Sequence, residues 1–152
     1  MNLETILREG RASILTEAVE AVRRAHLEHY ERVGPAAVRE RLDSLLGIVT
    51  EAVLERNLAP VADHVNAVAT ARFEAGVDLA EVQTAFNALE EVLWLRILQS
   101  IPAQEQVEAL GLVGTALGHG KDVLARRYVA MASHTKTPAL NLEALFSGSD
   151  RF

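Results

Sequence analysis

The chain has 152 residues, a net charge of −6, no cysteine, 49% apolar residues and only 5% aromatic ones. Its length fits one domain with an aliphatic core, and the missing cysteines exclude disulfides, thiolate zinc sites and cysteine nucleophiles. Residues 1–76 hold nine Lys and Arg against twelve Asp and Glu and residues 77–152 six against nine, so each half carries −3 and offers a nucleic acid no basic patch.

The periodicity predicts an all-α fold of five helices, or six if Gly10 splits off a short leading one. The first helix spans 3–33 behind Asn2, with Leu15, Val19, Val22, His26, Tyr30 and Val33 on one stripe, and Gly34-Pro35 ends it and opens the next. The second, 36–57, has Val38, Leu42, Leu45, Val49 and Val53 on one face and charges such as Arg39, Glu40, Arg41 and Asp43 mostly elsewhere. The third starts around Pro60 and runs to Ala75, with Val61, Val65, Val68 and then Arg72 in line.

Gly76 stops that helix, because glycine takes the left-handed conformation without steric cost. Asp78 reads as the N-cap of the fourth helix, and Glu81 three residues on completes a capping-box spacing. From Leu79 the apolar residues fall at 79, 82, 86, 89, 93 and 97, one stripe at about 100° per residue. Trp94, Leu95 and Leu98 point away from it, so this helix must be covered on a second face as well. Ser100-Ile101-Pro102 closes the helix, and Ser100 is placed to cap a fifth carrying Val107, Leu110, Val113, Leu117, Leu124 and Tyr128 to near Ser133. Residues 134–152 read as a tail or linker with a turn of helix at 140–146. Neither strand alternation nor a fixed-period repeat is present. No apolar run approaches the ~18 residues of a membrane span, and the start Met1-Asn2-Leu3-Glu4 is unlike a signal peptide.

Catalytic and metal patterns fail one by one. No Glu-x-x-His or His-Glu-x-x-His occurs. His26 and His29 stand one turn apart, but His26 fits the stripe beside Tyr30 and His29 the wet side better than the pair fits a metal. The glycine-rich run at 111–120 follows no strand and is no phosphate loop. Gly111, Gly114 and Gly118 share a face and each costs about 1 kcal/mol relative to alanine. Close approach of another helix there is the preferred explanation, over a kink or pocket at Gly118-His119-Gly120. Arg72 continues an apolar line, and a carboxylate such as Glu74, Asp78 or Glu90 would make it a clamp at the helix end. An anion site is its other reading.

These residues carry a resemblance. An arginine-bearing helix, then Gly-Val-Asp-Leu-Ala-Glu-Val, then Ala85-Phe86, Leu89 and Val92-Leu93-Trp94, resembles the RsbRD N-terminal domain family, over about residues 5–133. That family supplies the N-terminal sensor-type domains of stressosome co-antagonists. The resemblance implies a globin-like, haem-free helical fold and a homodimer. It also implies an output domain, none of which follows residue 133, so the chain reads as an excised N-terminal domain or a stand-alone homologue.

The expected function is therefore a non-catalytic, cytoplasmic sensor or interaction module, without cofactor or metal. Its expected partners are itself, through Trp94, Leu95 and Leu98, and a downstream signalling protein, with neither nucleic acid nor membrane. The alternative is a globin-like haem or small-ligand carrier with His64 or His119 as axial ligand. An enzyme comes last.

Overall fold

The computed structural model describes the backbone of residues 1–136 and the side chains of residues 1–134. Among these the chain is all-α: α1 (Leu3–Glu9), α2 (Arg11–Arg24), α3 (Glu28–Val33), α4 (Pro35–Glu55), α5 (Ala59–Glu74), α6 (Leu79–Ser100) and α7 (Ala103–Lys136). Seven helices replace the expected five or six because the first predicted helix is three. Gly10 makes a slight break, since it stays right-handed at φ −84° and its N–H still reaches the Ile6 carbonyl at 3.0 Å. His26 makes the larger one. It takes φ 52° without being glycine, a left-handed conformation that ends α2.

That turn reverses the expected roles of two histidines. His26 swings outward, its side chain 74% exposed and its Nδ1 3.0 Å from Glu31 Oε1. His29 is the half-buried one, its ring edge-on to Tyr30 with centroids 5.6 Å apart. Beyond it Gly34, at φ 87°, hands over to Pro35 at the first position of α4, as the sequence predicts.

α6 buries its apolar stripe. Val82, Phe86, Leu89, Leu93 and Ile97 are all buried, each large side chain worth about 1.5–3 kcal/mol removed from water. α7 packs along one side of α6 and α2 along another, while α5 lies against α7. On α4 the whole predicted stripe from Val38 to Val53 is buried, Leu46 with it.

The glycines of α7 need a correction. A Cβ on Gly111, Gly114 or Gly118 would meet no atom within 4 Å, so among the described residues no helix packs closely there. The close approach is at Gly120, where a Cβ would stand 3.2 Å from Phe86 Cε2, 3.4 Å from Val61 Cγ1 and 3.5 Å from Val65 Cγ2. Periodicity marks which glycines share a face, not which face has a neighbour. Val107, expected on the stripe, is 80% exposed, because the buried face of α7 runs through Ala109, Val113, Ala116, Leu117 and Leu124 and Val107 is turned about 200° from Ala109 around the helix. Ser100 ends α6 rather than capping α7, and the corner is held by Gln106 Nε2 donating to the Ile101 carbonyl at 2.9 Å. α7 runs three residues past the expected end, to Lys136; the expected turn at 140–146 lies outside the described residues.

Candidate functional site

Two surfaces come out of this packing, both built on α6. The first is the face its neighbours leave open. Arg96 binds α2 through Glu17 Oε1 at 2.6 Å and through Ser13, and Lys121 of α7 reaches Glu90 Oε1 at 3.5 Å. Between these two seams Trp94, Leu95 and Leu98 stay 45%, 47% and 52% exposed. Trp94 and Leu98 are one turn apart and Leu95 sits between them, so the three make one apolar patch. α1 and α2 do not cover it, and the tail that could lie over it is outside the described residues.

The second surface begins at the α5–α6 turn. α5 ends in two paired bonds, Gly76 N–H to the Phe73 carbonyl at 3.0 Å and Val77 N–H to the Arg72 carbonyl at 3.0 Å, with Gly76 left-handed at φ 76°. This is the Schellman closure that glycine permits. The buried Tyr128 hydroxyl of α7 then donates to the Val77 carbonyl at 2.8 Å, and burial is the chief reason its pKa is pushed up to about 12. Asp78 holds the N-cap position, but its side chain makes no capping bond. Glu81 does not complete a capping box either; it accepts from the His29 backbone N–H at 3.2 Å, tying α3 to α6.

The turn is thus held without Arg72, which corrects the clamp expectation. No ion pair joins Arg72 to Glu74, Asp78 or Glu90 among the described residues, and Glu90 pairs with Lys121 instead. Arg72 faces the same end of the bundle as Tyr30, and its charge bears on the Tyr30 hydroxyl. There it lines a cavity of about 140 Å³ with Arg41, His64, Tyr30 and Ser44, over an apolar floor that includes Val82 and Phe86. No Asp or Glu lines that cavity.

Arg41 is the residue the sequence reading passed over. It stands at the helical steps Val38, Arg41, Leu45, on the edge of the α4 stripe rather than on the solvated face, and that spacing was the available signal. Its Nη1 lies 2.9 Å from His29 Nε2, and its Cζ lies 5.9 Å from the Tyr30 ring centroid. Guanidinium can only donate, so His29 Nε2 accepts, and the imidazole is neutral with its proton on Nδ1.

The cavity is electropositive. Burial first, and then the charge of Arg72, lowers the pKa of Arg41 despite opposing effects of Tyr30 and Glu40. Burial and then Arg72 lower that of His64, while burial, Arg41 and Arg72 lower that of His29. For the Tyr30 hydroxyl burial wins and raises the pKa, with both arginines pulling the other way. Elsewhere the arginines that line cavities have partners: Arg56 pairs with Glu108 at 2.8 Å, Arg11 with Asp43 at 2.6 Å, Arg8 with Glu4 at 3.1 Å, and Arg39 donates to Thr16 Oγ1 and the Ala12 carbonyl. Arg41 and Arg72 face one cavity with no carboxylate in ion-pairing distance among the described residues.

Compared with known proteins, residues 12–138 match the family described as the RsbT co-antagonist protein rsbRD N-terminal domain. That span contains α2 from its second residue and α3 to α7 whole, both α6 surfaces included. Neither the curated proteins nor the solved structures provide a match.

Proposed function

We propose that this chain, which belongs to the family of RsbT co-antagonist protein rsbRD N-terminal domains, is a regulatory sensor or interaction module of the stressosome kind that works as a homodimer. It acts by binding rather than by catalysis, in the bacterial cytoplasm, and passes its state to a downstream signalling protein. The observation that carries the reading is the open face of α6. A helix with eight buried side chains also leaves a tryptophan and two leucines about half exposed, and soluble monomers rarely leave such a patch bare. A two-fold axis through the face would set Trp94, Leu95 and Leu98 against their own copies, with the tryptophan as anchor. In the described residues no helix is long and apolar enough to cross a membrane. The haem alternative draws no support from His64, whose cavity of about 140 Å³ is close to the size that holds one benzene ring and far too small for a porphyrin.

Trp94→Glu tests the proposal, read by light scattering and circular dichroism together. The expected outcome is a folded monomer of 16.5 kDa. A folded protein that still scatters as a dimer refutes the interface.

A further inference from the structure

From the cavity between α4, α5 and α6 we infer that this domain binds a small organic monocarboxylate, its carboxylate held between Arg41 and Arg72 and its short apolar body lying over Val82 and Phe86. Three observations meet there. The two guanidiniums have no carboxylate partner among the described residues, and like charges sharing a half-buried site destabilise one another until an anion arrives. Arginine's planar fork matches a carboxylate's two oxygens, so the pair fits this anion better than lysines would. Below the arginines the lining turns apolar, through Val82, Ala85 and Phe86, which a bare inorganic anion leaves unsatisfied and a hydrocarbon chain covers.

Size narrows the class. A volume of about 140 Å³ is close to that of a cavity that holds one benzene, so the ligand has about six non-hydrogen atoms, as butyrate does. Tyr30 and His64 complete the rim. Neutral His64 has one ring nitrogen able to donate to the anion and adds no charge of its own. Burial is the chief cause that depresses the pKa of His64 and His29, with the arginine charges second; a carboxylate between the arginines would offset that second cause, so binding should raise both.

The cavity connects to the open face of α6. Phe86 and Trp94 are eight residues apart on one unbroken helix, about 12 Å along its axis. A ligand packed on Phe86 therefore bears on the helix that presents the interface. The inference names the signal for the sensor proposed above, but binding itself does not depend on that reading or on the dimer.

The test is calorimetric titration of the full chain with sodium butyrate in the Trp94→Glu background, so that loss of the dimer and loss of the ligand are separate results. Saturable binding is expected, with an upward pKa shift of the His64 ring in proton NMR. Arg72→Gln and Arg41→Gln, each checked for folding by circular dichroism, should weaken binding about tenfold or more, as loss of a charge-assisted hydrogen bond implies. Lys121→Gln, outside the cavity, should leave it unchanged. Inorganic phosphate should bind more weakly than butyrate. Absence of saturable butyrate binding, equal binding of phosphate, or unchanged affinity in both arginine variants overturns the inference.

Discussion

The glycines of α7 give the sharpest test of the packing. Gly114→Leu and Gly120→Leu place the same side chain on the same helix with opposite consequences. At Gly120 the Cβ alone would already lie 3.2 Å from Phe86 Cε2 and 3.4 Å from Val61 Cγ1, and leucine adds three more carbons to filled space. Overpacking of that kind costs about 1–3 kcal/mol or more. At Gly114 nothing lies within 4 Å, so leaving glycine there gains about 0.8–1 kcal/mol of helix propensity. For a chain of this size about 2–4 °C of Tm accompanies each kcal/mol. The expected melts are thus about 2–4 °C higher for Gly114→Leu and about 2–12 °C lower for Gly120→Leu. Circular dichroism melting in the Trp94→Glu background measures both without self-association. Equal falls for both variants, or a Gly120→Leu that melts like its parent, would refute the argument.

Other predictions follow from single contacts. Tyr128→Phe leaves the Val77 carbonyl without its buried donor and should destabilise by about 1–3 kcal/mol, measured by urea titration; an unchanged midpoint means the hydroxyl does not hold the turn. Arg72→Leu should alter stability by less than about 1.5 kcal/mol, because no ion pair is lost and repulsion with Arg41 is relieved; a loss near 3 kcal/mol would reveal an ion pair. Folding favours neutral His64, its pKa being depressed by burial and Arg72. Above about pH 6.5 it is neutral in both states and contributes nothing; below that the unfolded chain takes the proton first and stability falls. His64→Gln should flatten part of that decline, and an identical pH–Tm profile would mean His64 is not protected from protonation.

Much of the fold was legible because spacing alone decides which face of a helix is apolar. The α6 stripe, the α4 stripe, the Gly34-Pro35 junction and the Gly76 stop all follow from local rules. The break at His26 did not, because Arg24-Ala25-His26-Leu27 contains no glycine or proline and a non-glycine residue takes the left-handed conformation. The site was legible only in part. Trp94, Leu95 and Leu98 stand on the open face expected of them, since two apolar faces on one helix can be counted. Arg72 was singled out as odd, yet Tyr30 and Arg41, which share its cavity, come from α3 and α4, more than thirty residues earlier, and no spacing within α5 reveals them. Gly120 was hidden likewise, since a close approach belongs to the partner helices as much as to the glycine.

The homodimer through α6 is most directly tested by the emission of Trp94, the one tryptophan in the chain, followed as the protein is diluted. At high concentration the account predicts blue-shifted emission from a ring buried against its copy. On dilution the emission should move red together with a fall in mass by light scattering from twice 16.5 kDa to 16.5 kDa. Emission characteristic of a solvated indole at every concentration, with the mass fixed, would contradict it.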